Sequence, residues 1–243
     1  MIKVEACINS DAIDKFNNPV NAAYLGGASR IELCSSMQFD GLTPKKKHIL
    51  EARKAFCNKK GLIVMIRPRK GDFIYSKNEI LEMHRQIQMA AEAGADGVVF
   101  GVLQKDDNRL DTSVFRELLQ TSNANNLQIT FHRAFDATPN PLETLDQLLE
   151  LGVNRILTSG ISWGQNGNAV DGVVKLDQYI CQVNGKIEIV VGGGVNPLNV
   201  KEILSNLTIN KGNVSVHAYS GVQKNGTTTA GAVKALVDAV KDF

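Results

Sequence analysis

The same short passage recurs three times along the chain, as Gly27-Ala28-Ser29-Arg30-Ile31-Glu32-Leu33, Gly94-Ala95-Asp96-Gly97-Val98-Val99 and Gly152-Val153-Asn154-Arg155-Ile156-Leu157. In each copy an amphipathic pattern ends at a glycine, which suits the left-handed residue that stops a helix. A polar residue then leads into a β-branched strand. The copies lie about two βα units apart, a unit being roughly 30 residues. Filling the gaps predicts eight strands, near Val4–Ile8, Arg30–Cys34, Leu62–Arg67, Gly97–Gly101, Gln128–His132, Arg155–Ser159, Glu188–Gly192 and Asn213–His217. Helical patterns separate them: Ile80, Met83, His84, Ile87 and Ala91 in one case, Leu142, Leu145, Leu148 and Leu149 in another, after Pro139 and Pro141. Strict alternation implies a parallel sheet. The 243 residues are close to the roughly 250 typical of one closed barrel of eight such units. The expectation is therefore an α/β fold, a single (β/α)8 TIM-barrel domain over residues 1–243. The alternative, a doubly wound sheet, is weakened because no Gly-x-Gly-x-x-Gly follows the first strand.

Composition narrows the partners. The chain is 43% hydrophobic and 21% charged, with a formal net charge of +2. Such a balance gives no basis for a nucleic-acid or acidic-membrane partner. The densest basic run, Lys45-Lys46-Lys47, falls at an expected helix start and reads as a solvated face. No run of about 18 apolar residues is present. The opening Met1-Ile2-Lys3-Val4-Glu5 reads as a strand, not as a targeting segment. The four cysteines, Cys7, Cys34, Cys57 and Cys181, form no CxxC, so the expectation is a cytoplasmic protein with reduced thiols. Cys57 and Cys181 are expected on helices, as packing residues. No His-Glu-x-x-His or clustered Cys/His spacing supports a zinc enzyme.

Side chains alternate along a strand. Val4, Ala6 and Ile8 share one face of the first strand, and Glu5 and Cys7 the other. Ile31 and Leu33 share one face of the second, and Glu32 and Cys34 the other. With the aliphatic faces packed on helices, two Glu-x-Cys pairs point into the barrel, their cysteines at the carboxyl-end mouth. Arg67 and Met65 share a face of the third strand, His132 and Thr130 of the fifth, His217 and Ser215 of the eighth. Polar groups at this end of a barrel commonly carry function.

Two chemistries follow. Paired thiolates select Cu(I), with Met65 as an additional weak thioether. Alternatively, the mouth is that of an enzyme acting on a small anion. Glu5 or Glu32 then serves as general base, His132 or His217 as proton shuttle, and Asp136 as a group orienting the His132 ring. Arg67, the backbone of Gly193 and Gly194, and the Ser220-Gly221 loop then bind a phosphate or carboxylate. The run Gly192-Gly193-Gly194-Val195-Asn196-Pro197 exposes N–H groups ahead of a helix expected at Pro197. Each group also has a structural explanation: Glu5 and Glu32 as core carboxylates neutralised by Arg67, the thiols and imidazoles as buried packing groups. The loops Ser162–Gly167 and Ser220–Thr229 are expected at the same end of the barrel.

Several of these stretches also resemble the CutC family, named for copper homeostasis. The similarity lies in Ile66-Arg67-Pro68-Arg69-Lys70-Gly71-Asp72-Phe73-Ile74-Tyr75-Ser76, Arg30-Ile31-Glu32-Leu33-Cys34, Gly41-Leu42-Thr43-Pro44, Thr130-Phe131-His132-Arg133-Ala134-Phe135-Asp136 and Leu157-Thr158-Ser159-Gly160. It covers nearly the whole chain. The resemblance implies a barrel, a homo-oligomeric (dimeric or tetrameric) cytosolic protein and a role in copper handling, with Cys7 and Cys34 matching the proposed copper ligands. Two departures stand out: Lys70 replaces the first glycine of the usual Arg-Pro-Arg-Gly-Gly-Asp loop, and Asp40 the first of two glycines before Leu-Thr-Pro.

Overall fold

The computed structural model describes residues 1–13, 18–57, 59–209 and 213–243. Eight parallel strands close into a barrel in chain order: β1 (Lys3–Asn9), β2 (Arg30–Cys34), β3 (Leu62–Met65), β4 (Gly97–Phe100), β5 (Gln128–Phe131), β6 (Arg155–Thr158), β7 (Glu188–Val191) and β8 (Asn213–Ala218). The helices between and after them are α1 (Pro19–Leu25), α2 (Lys46–Ala55), α3 (Lys77–Glu92), α4 (Thr112–Ala124), α5 (Pro141–Glu150), α6 (Val173–Val183), α7 (Val200–Ser205) and α8 (Ala230–Ala239). The single TIM barrel expected from the repeat is what forms.

Local chemistry sets the boundaries. The glycines at 27, 94 and 152 have φ of +86°, +88° and +72°, the left-handed conformation that costs glycine nothing at a helix end. Ser76 and Glu79 build a reciprocal capping box at the start of α3. Met83 and Ile87 of α3, and Leu145 and Leu148 of α5, are buried against the sheet as the spacing required. Val4, Ala6 and Ile8 of β1, with Ile31 and Leu33 of β2, belong to the core between sheet and helices. The opposite faces of these strands, carrying Glu5, Cys7, Glu32 and Cys34, therefore look inward. No helix among the described residues is long and apolar enough to cross a membrane.

Several expectations need adjustment. Five of the strands end one or two residues early, so Arg67 and His132 stand just beyond β3 and β5. Cys57 follows α2 in a left-handed conformation, φ +53°, and both it and Cys181 on α6 are exposed, so neither is a packing residue. No helix begins at Pro197; α7 starts at Val200 and runs six residues. The Ser220–Thr229 segment holds a short helical turn (Ser220–Val222) and a small antiparallel ribbon rather than an unstructured loop. The two family departures also separate. Asp40 adopts φ +62°, a conformation aspartate tolerates better than most residues. Lys70 is not among the positive-φ residues, so a side chain is accommodated there without backbone strain.

Candidate functional site

The barrel interior has two levels. At the lower level, register places Glu5 of β1 beside Arg30 of β2 on one side and His217 of β8 on the other. The Glu5 carboxylate meets Arg155 Nη1 at 2.6 Å, Arg30 Nε at 3.2 Å and His217 Nδ1 at 3.0 Å. Arg30 also forks onto Glu188 and donates to Ser215 Oγ at 2.7 Å. Glu5 is fully buried. Burial alone raises its pKa, but the Arg155 guanidinium, the hydrogen bond with His217 and the Arg30 guanidinium outweigh it and hold Glu5 ionised, well below the usual carboxylate range. The partners that neutralise Glu5 are thus Arg30 and Arg155, not Arg67 as the sequence suggested. Parity could have found them. Arg30 lies two residues before Glu32, and Arg155 two before Leu157, whose side chain lines the inner cavity.

Above this level a cavity of about 310 Å³ opens at the carboxyl ends of the strands, and Cys7, Glu32, Cys34, Arg67, His132 and His217 all line it. Glu5 does not. Cys7 and Cys34 are 2% and 1% exposed. Their sulfurs and a Glu32 oxygen all lie within 4.8 Å of one another, with Glu32 Oε1 at 3.4 Å from the Cys34 sulfur and 3.9 Å from that of Cys7. Ile63, Met65 and Val99 pack around the sulfurs from inside the barrel, with Met37 and Tyr219 at the edge.

These neighbours split the two thiols. A hydrogen bond from Cys34, together with the hydrogen bond and charge of His217, lowers the Cys7 pKa to about 6. The same contact with Cys7, followed by burial, pushes Cys34 well above the ordinary thiol value. One thiolate and one thiol therefore face each other. Burial lifts Glu32 to about 8, so at neutral pH it is largely a carboxylic acid. Burial opposes protonation of His217, but neighbouring negative charge and its hydrogen bonds to Cys7 and Glu5 raise its pKa well above the usual value.

The opposite wall is built differently. Arg67, 2% exposed, donates through Nη1 to the carbonyls of Phe39 (2.8 Å) and Gly41 (3.2 Å) and through Nη2 to that of Gly71 (2.7 Å). It ties the loops after β2 and β3 together and stacks 5.2 Å over Phe73. Only its Nε lacks a partner. Burial and then the Arg67 charge depress His132 to about 3. It is a neutral imidazole. The Ala134 N–H donates to its Nδ1 at 3.1 Å, which leaves the proton on Nε2, and that atom has no partner.

Asp136 does not reach His132. It accepts from Arg133 Nε at 2.7 Å, from Ser159 N and Oγ at 3.2 Å each, and from Thr158 Oγ1, bracing the β5 and β6 loops. It therefore orients Arg133, which reaches Ser159 Oγ at 2.8 Å and lies under Trp163. Arg133 and Trp163 both line the cavity. Neither was singled out from the sequence, where nothing separates a rim arginine or tryptophan from an ordinary surface one.

The CutC family profile matches residues 2–219. A CutC family protein of Aliivibrio fischeri is 37% identical over 240 residues, covering 99% of this chain and 88% of that protein. One from Bacteroides thetaiotaomicron is 44% identical over 184 residues, covering 76% and 71%. Among solved structures, the supposed copper homeostasis protein CutC of Streptococcus agalactiae superposes with a TM-score of 0.76 at 31% identity, covering 92% of this chain and all of that one.

Proposed function

The chain belongs to the CutC family, and we propose that it binds one Cu(I) per chain through Cys7 and Cys34 as part of copper handling. The observation that carries this reading is two buried sulfurs from adjacent strands, within 4.8 Å of each other. Two metal–thiolate bonds of about 2.3 Å, the length known for zinc, span that separation. Soft sulfur donors in an apolar surround favour Cu(I) over harder ions. Cys7, already largely thiolate, offers the first bond, and Cys34 releases its proton as the metal binds. Two thiolates and one Cu(I) leave a single negative charge, which the His217 imidazolium beside them offsets. Met65 and Met37 border the sulfurs and exclude water.

The test is Cu(I) stoichiometry by competition with a chromophoric chelator under anaerobic conditions. We expect about one equivalent per chain, retained when the exposed Cys57 and Cys181 are changed to Ser and lost in the Cys7→Ser/Cys34→Ser double variant. Unchanged stoichiometry in that double variant would remove the proposal. The cytoplasmic location and homo-oligomeric state belong to the same reading and rest on the family resemblance. Light scattering that gave a monomer at working concentrations would strike out the latter.

A further inference from the structure

The copper reading leaves the β7–β8 side of the mouth unexplained. After β7 the backbone turns through Gly193 and Gly194, both left-handed at φ +93° and +73°. A Cβ on Gly193 would lie 2.8 Å from that of Ser159, so the turn is pressed against the β6 loop. Its carbonyls are occupied. Gly193 O accepts from Ala169 N at 2.9 Å, and Gly194 O accepts from the Asn196 and Asn199 side chains at 3.0 Å each. Its N–H groups are not. Among the described residues, the backbone N–H groups of Gly193, Gly194 and Val195 donate to nothing, and neither does that of Ser220 on the β8 loop. All four residues line the cavity. Val195 is buried, where a backbone donor is nearly always paired, Gly193 is half-buried, and Gly194 and Ser220 are exposed. Consecutive N–H groups in a left-handed turn form an anion-binding concavity.

Two further side chains carry the same signal. His132 is 3% and Arg67 2% exposed; both line the same cavity, and His132 Nε2 and Arg67 Nε have no partner. Arg67 has no carboxylate within ion-pair distance among the described residues. Next to the glycine turn, Arg133 is held by Asp136 and Ser159. With Glu32 Oε2 inside it and the Asp40 carboxylate at its rim as the acceptors, the cavity carries its unpaired donors on the glycine turn, Arg67 and His132, which suits a ligand rich in acceptors.

We propose that the mouth binds a small phosphate monoester. Its phosphoryl group sits on the N–H groups of Gly193, Gly194, Val195 and Ser220 beside Arg133, and its organic part extends toward Arg67 and His132. Three consecutive N–H groups and a fourth from the next loop match the three terminal oxygens of a phosphoryl group better than the two of a carboxylate. The loops after β7 and β8 are also where barrels of this class commonly hold phosphate. The cavity, about 310 Å³, lies at the small end of ligand sites, which limits the organic part to a few carbons. His132 Nε2–H and Arg67 Nε–H then donate to a hydroxyl or carbonyl of that part. The expectation that Arg67 holds the anion is thereby revised: its Nη groups are committed to carbonyls, and the phosphoryl site lies across the mouth. The proposal does not depend on copper.

Amide NMR titration with glycerol 3-phosphate, inorganic phosphate and glycerol tests it. Glycerol 3-phosphate should shift the amides of Gly193, Gly194, Val195 and Ser220 together with the His132 Nε2–H signal, at millimolar concentration or below. Glycerol should not. An Arg133→Gln variant, which removes a charge at the rim, should weaken binding by about tenfold, the loss expected for one charge-assisted hydrogen bond. Cu(I) stoichiometry read on the same wild-type protein reports the copper reading by itself, so loss of that reading and loss of this one are separately visible. No shift at the four amides overturns the proposal. So does a response to inorganic phosphate alone, which marks an adventitious ion only.

Discussion

The lower level of the barrel and its mouth are both polar interiors, yet they are satisfied in different ways. Below, Glu5, Arg30, Arg155 and Glu188 touch charges of opposite sign, and two carboxylates balance two guanidiniums. Above, Arg67 and Glu32 have no ion-pair partner among the described residues, and a thiolate faces a thiol. Buried unpaired atoms occur at both levels, Arg30 Nε, Arg155 Nε and Arg155 Nη2 below and Glu32 Oε2, Arg67 Nε and His132 Nε2 above. Both levels carry the cost of desolvating polar groups. Only the lower one sets charge directly against charge. Charged groups in a barrel core are thus no guide to function until their partners are counted. By that measure Glu5, despite its place in the first Glu-x-Cys pair, belongs to the fold, and Glu32 belongs to the site.

The largest effect should come from breaking the balance below. Glu5→Gln leaves Arg155 buried without a counter-charge, and removal of one partner from a buried pair costs about 3–5 kcal/mol. Urea unfolding of the folded variant should show a loss of that size at unchanged m-value. A loss below about 1 kcal/mol would mean that the lower level is no more structural than the mouth, and the contrast would fail.

How much of this was legible in the sequence depends on which interactions are local. Strand parity placed Glu5, Cys7, Glu32, Cys34, Arg67, His132 and His217 inward, because alternation is set by neighbours one and two residues away. Pairing across the barrel was not legible. Glu5 and Arg155 are 150 residues apart, and only closure of the ring brings them to 2.6 Å. Asp136 illustrates the converse error. Its closeness to His132 in sequence suggested an orienting bond, but the helical turn over Arg133–Ala137 carries its carboxylate toward β6 instead. The unpartnered N–H groups of the glycine turn could be suspected from composition, though that they are unpaired is a fact of tertiary structure.

A smaller effect separates the two mouth histidines. His132 takes a proton only near pH 3 in the folded chain, against about 6.5 when unfolded. Its contribution is therefore fully present above pH 6.5 and is lost as pH falls toward 3, because the unfolded chain binds a proton that the native one refuses. At about 1.4 kcal/mol per pH unit, roughly 2 kcal/mol should be gone at pH 5. His217 runs the other way. Its raised pKa stabilises the fold below 6.5 and the benefit fades as pH rises through the folded value. His132→Asn keeps an acceptor for the Ala134 N–H and does not titrate. Unfolding at pH 7.5 and at pH 5 should show its acid loss reduced by about 2 kcal/mol relative to wild type. Parallel pH profiles would contradict the neutral His132.

The smallest change tests the rim. Asp40 lines the cavity in a left-handed conformation where the family pattern has glycine. Asp40→Gly relieves a modest steric cost, of about 1 kcal/mol at most for a residue that visits this region readily. It also adds freedom to the unfolded chain, which offsets much of that gain. The net stability change should stay within about 0.5 kcal/mol, and the paired charges below should be indifferent to it. The ligand sites need not be: Asp40 is a carboxylate at the rim of a cavity otherwise rich in donors, and removing it should tighten glycerol 3-phosphate binding while leaving Cu(I) stoichiometry unchanged. Weaker phosphate binding in Asp40→Gly would mean that the aspartate organises the mouth instead of repelling its ligand. The rim would then resemble the level below, where each charge is held in place by another.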